Sequence, residues 1–325
     1  MIEAYIQYLS FIGGIILLIM GANYLVEGAS SLAKRLGVST IIIGLTIVAF
    51  GTSMPELVVN IVAASRGATE VAFGNIIGSN ISNILLVLGI TAIITNVSIK
   101  RNTTWKEIPF ALLSVIVLFV VANKFMIEGI EIFFITRIDG IIMLLFFSIF
   151  IYYAFMMAKA SKERVEADEI QIKKRNIFLI LLMIIGGLIG LYFGGELTVN
   201  GAVFIAEQFG LSQFLISATI IAIGTSLPEL VTSVIAAFKK NIDLAVGNVI
   251  GSNIFNIFWI LGVTSIINPV PVPNFINFDI LFLAISTILL FTFIFIGGKR
   301  ELDRKEGTFF IILYLAYIIF LIIRG

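Results

Sequence analysis

Long apolar runs separated by short polar segments cover most of this chain. A helix needs about 20 predominantly apolar residues to cross the hydrocarbon layer of a bilayer, and ten runs come close to that length. They lie at 7–33, 39–66, 71–97, 107–123, 137–158, 177–206, 212–238, 243–268, 275–296 and 308–324. The pattern predicts an all-α polytopic membrane protein with ten transmembrane helices.

Two polar phrases within these runs occur twice. GTSMPE at 51–56 returns as GTSLPE at 224–229, and GNIIGSN at 74–80 returns as GNVIGSN at 247–253. The offset is 173 residues in both cases (224 − 51 and 247 − 74). The chain is therefore a tandem duplication with five predicted helices in each repeat. Since five is an odd number, the second repeat must enter the membrane from the opposite side, which is the inverted-repeat arrangement of many secondary transporters.

A segment of mixed charge at 159–175 separates the first repeat, 1–158, from the second repeat, 176–325. The segment contains no long apolar run and is too short for a folded regulatory domain. We therefore interpret it as a charged linker between the two halves.

The distribution of Lys and Arg orients the predicted helices. With the amino terminus outside, alternate loops leave only Arg66, Lys124, Arg137 and Arg324 on the outer side and place the other 17 of the 21 basic residues on the inner side. The positive-inside rule assigns this excess to the cytoplasm, so we expect a multi-pass protein of the cell membrane with a cytoplasmic linker. The inner set is Lys34, Arg35, Lys100, Arg101, Lys106, Lys159, Lys162, Arg164, Lys173, Lys174, Arg175, Lys239, Lys240, Lys299, Arg300, Arg304 and Lys305.

Composition narrows the possible chemistry. Hydrophobic residues make up 59% of the 325 residues and charged residues only 13%, against about 25% charged residues in soluble domains, so most of the surface must face lipid. The absence of cysteine and histidine excludes disulfides, thiol chemistry, histidine proton relays and most transition-metal sites. The first run begins near Ile6 without a preceding Lys or Arg, which predicts a retained helix rather than a cleaved signal peptide. We expect no nucleic-acid partner and no resident cofactor.

Two glutamates lie inside predicted spans at matching positions of the repeats. A charged side chain at the centre of a spanning helix costs roughly 2.5–3.5 kcal/mol on insertion scales, and no Lys or Arg lies in the membrane interior to pair with Glu56 or Glu229. Pro55 and Pro228 precede these glutamates, and proline removes a hydrogen bond and clashes with the preceding turn. We therefore predict a broken helix in each repeat, with a functional carboxylate at the break.

Oxygen-bearing side chains surround each predicted break. Thr52 and Ser53, and equally Thr225 and Ser226, are predicted to cap the half-helix that restarts at the proline. The neighbouring span of each repeat carries a polar stripe at positions i, i+4 and i+8, formed by Asn75, Ser79 and Asn83 and by Asn248, Ser252 and Asn256. Carboxylates, hydroxyls, amides and freed carbonyls together form an all-oxygen environment, which hard cations such as Ca²⁺ prefer.

Small residues in the second polar phrase have a structural interpretation. Gly74 and Gly78, like Gly247 and Gly251, form small-xxx-small patterns that let helices approach closely. We expect helix packing to be the main role of these glycines.

Two further glutamates occupy partly exchanged positions in the repeats. Asn23 aligns with Glu196, and Asn200 aligns with Glu27. We interpret Glu27 and Glu196 as ends of an ion pathway or as partners in interhelical bonds, rather than as ion ligands.

The paired sequences AFGTSMPE with GNIIGSNISN, and AIGTSLPE with GNVIGSNIFN, resemble the two alpha-repeats of the cation/calcium exchanger superfamily, in particular its sodium/calcium exchanger branch. The resemblance covers essentially the whole chain, with the alpha-1 motif at 49–83 and the alpha-2 motif at 222–256. It implies a ten-helix antiporter with broken helices at the ion site. Its ligands would be the transported Na⁺ and Ca²⁺.

The resemblance also implies individual ligands. The calcium site falls on the carboxylates of Glu56 and Glu229 and on the carbonyls of Thr52 and Thr225. The flanking sodium sites use the backbone of two alanines, four serine hydroxyls and two asparagine amides, which are Ala49, Ala222, Ser53, Ser79, Ser226, Ser252, Asn83 and Asn256.

One position departs from a common pattern of these exchangers. Close prokaryotic relatives can carry Asp where this chain has Asn256, and the potassium-dependent branch resembles that Asp form, so Asn256 disfavours potassium coupling. The calcium/proton branch usually carries a Gly-Asn-rich acidic signature that this chain lacks.

We therefore expect an ion antiporter rather than an enzyme, exchanging Na⁺ for Ca²⁺ electrogenically by alternating access. A calcium/proton or potassium-assisted exchanger is the nearest alternative, and a passive cation channel is a more distant one. Inverted repeats around a single occluding site disfavour a channel. The lack of a nucleophile–base pair disfavours an intramembrane hydrolase.

Overall fold

The computed structural model describes residues 2–65, 70–99, 103–129, 132–162, 175–210, 224–273, 276–296 and 300–324. Helices account for most of these residues. In chain order they are α1 Ile2–Leu36, α2 Thr40–Thr52, α3 Met54–Ser65, α4 70–94, α5 Thr103–Ala122, α6 Lys124–Glu128, α7 Arg137–Lys162, α8 Ile177–Gln208, α9 Leu227–Phe238, α10 Ile242–Ile267, α11 Ile276–Phe293 and α12 Arg304–Arg324.

Most predicted spans appear as membrane-spanning helices. Within the described ranges, eight helices are long and apolar enough to cross a membrane, and the bent pair α2 and α3 supplies a ninth span. Residues 211–223 lie outside the described part of the chain. Of the predicted span 212–238, the structure therefore describes only the second part, which contains α9. The all-helical membrane architecture is confirmed, and the tenth span remains a prediction.

The helices that carry the second polar phrase lie at the centre of the bundle. In the most apolar window of α4 and of α10, 78% of the residues are buried, against 17% in α7 and 22% in α12. α10 packs against α2, α7 and α9, and α4 packs against α12. Outer helices therefore shield these two polar stripes from lipid.

Helices α1 and α8 cross at glycines. A Cβ atom on Gly21 would lie 2.8 Å from the carbonyl oxygen of Gly187, and one on Gly187 would lie 2.8 Å from that of Gly21. Each helix is also followed within two residues by a glycine with positive φ, 67° at Gly37 and 74° at Gly210, a backbone region that favours glycine. The two helices thus form a closely packed pair with equivalent ends.

The glycine-packing prediction holds for the second repeat. A Cβ atom on Gly247 would lie 2.6 Å from the carbonyl oxygen of Ile41, and one on Gly251 would lie 2.7 Å from that of Leu45, so both glycines allow α10 to contact the backbone of α2. The segment equivalent to α2 in the second repeat falls within 211–223, outside the described residues. Packing by the glycines of the first repeat therefore stays a prediction.

Two short antiparallel ribbons join the repeats. The strands are β1 Val97–Ser98, β2 Phe134–Ile135, β3 Val270–Pro271 and β4 Glu301–Leu302. β1 pairs with β4, and β2 pairs with β3. β1 and β3 are 173 residues apart (270 − 97) and follow α4 and α10, whereas β2 and β4 are 167 apart (301 − 134) and precede α7 and α12. The pairing of β1 with β4 is therefore the counterpart of the pairing of β3 with β2, with the two repeats exchanged.

Candidate cation-binding site

The repeated turns lie at helix ends beside the two glutamates. α2 ends at Thr52, α3 begins at Met54, and the two helices are bent by 43° relative to each other. Because Pro55 has no N–H, the carbonyl of Gly51 loses the donor that a continuous helix would supply. In the second repeat, α9 begins at Leu227, directly after the equivalent turn. The predicted break is present in the first repeat.

The two serine hydroxyls of these turns differ in their contacts: that of Ser53 bonds to the opposite repeat, and that of Ser226 has no partner among the described residues. Ser226 has φ −85° and ψ 3° and makes no side-chain capping bond, because an N-cap residue needs extended backbone to present its oxygen to the next turn. Ser53 Oγ donates to Glu229 Oε1 at 3.1 Å. The capping prediction is therefore wrong for Ser226, and the Ser53 hydroxyl bonds to the other repeat.

The threonines of the turns make equivalent bonds in both directions. Thr52 Oγ1 donates to Asn248 Oδ1 at 2.9 Å, and Thr225 Oγ1 donates to Asn75 Oδ1 at 3.2 Å. Donors and acceptors are both related by the 173-residue offset (225 − 52 and 248 − 75). Each broken turn is thus held against the polar stripe of the opposite repeat.

Glu56 and Glu229 are completely buried. Ser79 Oγ donates to Glu56 Oε1, and Ser252 Oγ donates to Glu229 Oε1, both at 3.3 Å. The Oε2 atom of each glutamate has no hydrogen-bond partner among the residues that the structure describes. In the described part of the chain, no Lys or Arg forms a salt bridge with either carboxylate. The site therefore holds two buried carboxylates without a protein cation to balance them.

Two asparagines that were not predicted as site residues accept hydrogen bonds from the side-chain amides of the predicted ligands Asn83 and Asn256. Asn80 Oδ1 accepts the amide N–H of Asn256 at 2.9 Å, and Asn253 Oδ1 accepts that of Asn83 at 3.0 Å. These bonds engage the amide nitrogens of Asn83 and Asn256, and in the described ranges neither Oδ1 atom has a donor. The available signal was the position of Asn80 and Asn253 as the last residue of the repeated GNxIGSN phrase.

Both site amides lie in widened helical turns. Asn83 begins the π-helical stretch Asn83–Val87, and Asn256 lies in the π-helical stretch Phe255–Leu261. Such turns are rare and occur frequently at functional sites. The irregularity recurs at the same place in both repeats.

Buried oxygen atoms without donors are concentrated around this site. Buried acceptors are normally hydrogen-bonded, so such a concentration requires an explanation. A cation satisfies oxygen lone pairs without supplying protons. Seven of the nine unpaired oxygen atoms found in the described part of the chain belong to the site: Glu56 Oε2, Glu229 Oε2, Asn83 Oδ1, Asn256 Oδ1 and Ser226 Oγ, with Asn60 Oδ1 and Thr232 Oγ1 about one turn further along α3 and α9; the other two are Ser82 Oγ and Glu107 Oε2.

Ala49 and Ala222 are the two alanines predicted to contribute backbone oxygens. The carbonyl oxygen of Ala49 accepts the N–H of Ser53 at 3.0 Å, and the hydroxyl of Thr52 lies 3.4 Å from the same oxygen. Ala222 lies outside the described residues, so its position stays a prediction. The other predicted site residues belong to this network or lie directly beside it.

Glu27 and Glu196 lie apart from this network. Glu27 in α1 forms salt bridges with Arg175 at 2.8 Å and with Lys239 at 3.0 Å, which agrees with interhelical bonding. Glu196 in α8 lines a cavity of about 250 Å³ beside Thr225. The two exchanged glutamates therefore have different surroundings.

A protein family and several known proteins are similar to this chain over most or nearly all of its length. A family model described as sodium/calcium exchanger protein matches residues 6–156 and 179–323. The sodium/calcium exchanger MaX1 of Methanosarcina acetivorans is 33% identical over 363 residues, covering 97% of this chain and 98% of MaX1. The inner membrane protein YrbG of Escherichia coli is 34% identical over 263 residues, covering 79% of this chain and 78% of YrbG.

A solved structure has the same fold. The sodium-calcium exchanger NCX_Mj, soaked with zero Na⁺ and Ca²⁺, superposes with a TM-score of 0.80 at 35% sequence identity. The superposition covers 98% of this chain and 99% of that chain. The likeness therefore extends over nearly the whole length of both chains.

Proposed function

We propose that this chain, which belongs to the sodium/calcium exchanger family, is a secondary antiporter that exchanges Na⁺ for Ca²⁺ across the cell membrane. The observation that carries the proposal is the concentration of buried, donor-free oxygen atoms around Glu56 and Glu229. Two carboxylates at membrane depth without a cationic partner are costly, and bound cations remove much of that cost. The protein is a transporter rather than an enzyme, and its ions are cargo rather than cofactors.

In the proposed site, Ca²⁺ binds between Glu56 and Glu229. Two carboxylates balance its two charges, and Ca²⁺ takes about 6–8 oxygen ligands at about 2.3–2.6 Å. The main-chain carbonyls of Thr52 and Thr225 supply further oxygens at the broken turns, since unwound backbone in transporters coordinates cations in this way. The reciprocal threonine–asparagine bonds hold both turns in place for this role.

Na⁺ uses the same carboxylates together with neutral oxygens on either side. Bound Na⁺ and Ca²⁺ therefore exclude each other, which is the basis of the exchange. The unpaired Oδ1 atoms of Asn83 and Asn256 support this assignment. The neutral ligands we assign to the sodium sites are Ala49, Ala222, Ser53, Ser79, Ser226, Ser252, Asn83 and Asn256.

Ten helices in two inverted repeats of five frame the site. Reciprocal contacts support this arrangement, since a two-fold axis makes residue i contact j and the equivalent of j contact the equivalent of i. With ten spans, alternate loops place β1 and β4 on one side of the membrane and β2 and β3 on the other. The observed strand pairs match that assignment.

Alternating access is supported by a difference between the two ends of the bundle. With the amino terminus outside and the linker 159–175 in the cytoplasm, the cavity beside Glu196 and Thr225 lies in the outer half. At the inner end, Arg175 and Lys239 both pair with Glu27 and so join α1 to α8 and to the end of α9. We assign this conformation to the outward-facing state.

Uptake of ⁴⁵Ca²⁺ into proteoliposomes tests the proposal. We expect Na⁺ loaded inside the vesicles to drive Ca²⁺ uptake, without K⁺ and without a pH gradient. Uptake that follows a pH gradient and ignores Na⁺ would instead identify a calcium/proton exchanger, and a requirement for K⁺ would identify a potassium-assisted one. Ca²⁺ flux that needs no counter-ion would identify a passive channel.

A further inference from the structure

Glu196 lies at membrane depth, and no hydrogen bond joins it to the network around Glu56 and Glu229 among the described residues. Helix α8 has 32 residues, and Glu196 precedes its last residue, Gln208, by 12 positions (208 − 196), or about 18 Å at 1.5 Å per residue. A helix of this length exceeds the hydrocarbon layer of about 30 Å, so Glu196 lies within that layer. An ionisable side chain at such depth faces the protein interior or a water-filled cavity.

The cavity beside Glu196 extends to the turn that carries the proposed ion site. Tyr192, Glu196 and Asn200 line one wall and share one face of α8, because they follow at intervals of four residues. Pro55 and Thr225 belong to the other wall, and both adjoin proposed ligands. Among the described residues that line the cavity, Glu196 is the only charged one.

Glu196 also differs from its exchanged counterpart in charge balance. Glu27 is neutralised by Arg175 and Lys239 at the inner end of the bundle. Glu196 forms no salt bridge within the described part of the chain. The carboxyl group of Glu196 therefore lies beside the cavity without a basic partner among the described residues.

We propose that Glu196 and Asn200 form an outer waiting site, where a hydrated Ca²⁺ or Na⁺ binds before it moves to the buried glutamates. The carboxylate supplies charge, the amide supplies a neutral oxygen, and both are ligand types that these cations accept. Low-dielectric walls around a single negative charge raise the local cation concentration. This inference rests on the proposed exchange function and adds a second, shallower binding position to it.

The absence of cysteine from the chain makes a direct test possible, because Glu196→Cys introduces the only thiol. We expect this variant in proteoliposomes to raise the KM for Ca²⁺ on the outer side roughly tenfold, with a much smaller change in kcat. A methanethiosulfonate reagent that attaches a sulfonate should lower the KM again, and one that attaches a quaternary ammonium should raise it further. Ca²⁺ on the outer side should slow both modifications.

Two further variants complete the test. Glu196→Asp keeps the charge and should retain a KM near that of the wild-type protein. In Glu27→Cys the thiol lies at the inner end, so neither reagent added outside should change the KM. Equal effects of the two reagents on Glu196→Cys, or modification that Ca²⁺ does not slow, would overturn the waiting site while leaving the exchange function intact. If instead the wild-type protein shows no Na⁺-driven Ca²⁺ uptake, the proposed exchange function is itself wrong.

Discussion

Asn80 and Asn253 each donate a side-chain hydrogen bond to the main-chain carbonyl oxygen of the other, at 3.2 Å in both directions. The two residues are 173 positions apart and buried. Their own side-chain oxygens accept the amide N–H groups of Asn256 and Asn83. This asparagine cluster joins α4 to α10 at the centre of the bundle and determines which atom of each site amide remains unpaired.

Replacing Asn80 or Asn253 by Ala should destabilise the protein and weaken cation binding together. Each change leaves a buried amide N–H and a buried carbonyl without partners, at about 1–3 kcal/mol per unpaired group. Because the pair shares its bonds, the two substitutions should not be additive in a double-mutant cycle. Thermal unfolding of the purified protein and Ca²⁺ affinity are the two readouts.

Asn123 and Asn277 provide the matched control for this prediction. They also exchange two side-chain bonds, at 2.8 and 2.7 Å, but they lie away from the glutamates. Asn123→Ala should lower thermal stability and leave Ca²⁺ affinity unchanged. A loss of affinity in this control as large as in Asn80→Ala would show that the effect is not specific to the site.

Exchange should respond to membrane voltage. If about three Na⁺ leave for each Ca²⁺ that enters, one positive charge leaves per cycle, and one charge across 100 mV is worth about 2.3 kcal/mol. An inside-positive potential should therefore accelerate Ca²⁺ uptake into vesicles loaded with Na⁺. Uptake measured at several valinomycin-clamped potentials checks this, and flux that ignores the potential would indicate electroneutral exchange.

Asn256→Asp should alter the ion dependence of transport. Asn256 Oδ1 has no donor among the described side chains and backbone groups, and aspartate would place a third carboxylate beside Glu56 and Glu229. Crowded carboxylates repel one another, so the variant should either recruit K⁺ or take up a proton near neutral pH. Na⁺-driven Ca²⁺ uptake measured against K⁺ and against pH distinguishes these results from the wild-type behaviour.

Asn123→Asp serves as the control for that substitution, since it adds the same charge outside the site. This control should change neither the K⁺ dependence nor the pH dependence of Na⁺-driven Ca²⁺ uptake. The prediction is wrong if wild-type exchange requires K⁺, or if Asn256→Asp changes neither the K⁺ nor the pH dependence.

Gly187→Ala should disrupt the contact between α1 and α8, and its neighbour Gly186 supplies the control. A Cβ atom at Gly187 would lie 2.7 Å from the main-chain nitrogen of Leu25, whereas one at Gly186 meets no described atom within 4 Å. Overpacking against backbone costs about 1–3 kcal/mol, so Gly187→Ala should lower thermal stability. Gly186→Ala should leave stability unchanged or raise it slightly, and equal destabilisation by both variants would argue against the close crossing.

The sequence predicted those features that depend on local pattern. Apolar runs locate helices because only a helix satisfies its backbone in hydrocarbon, and the proline at position 55 locates the first break because it removes a donor. Burial of Glu56 and Glu229 followed from the same pattern. These inferences needed no knowledge of how the helices cross.

Features that depend on the crossing of helices could not be predicted. The bonds between Asn80 and Asn253 require α4 and α10 to meet at one particular register, which no local motif specifies. The same reason explains why Ser53 bonds to Glu229 rather than to its own helix. It also explains why Glu27 forms salt bridges with basic side chains, whereas Glu196 forms none with the described residues. Side-chain partners across the repeats emerge only from the three-dimensional arrangement.

Equilibrium binding of ⁴⁵Ca²⁺ to the purified protein, titrated with Na⁺, tests most directly whether both ions share Glu56 and Glu229. We predict that Na⁺ displaces Ca²⁺ from the wild-type protein cooperatively. Glu56→Gln and Glu229→Gln should each fold normally and bind no Ca²⁺, because each removes half of the charge that balances the ion and keeps the side-chain shape. Two results would contradict a site shared by both ions. One is Ca²⁺ binding of wild-type affinity in either variant, and the other is Ca²⁺ binding to the wild-type protein that Na⁺ does not displace.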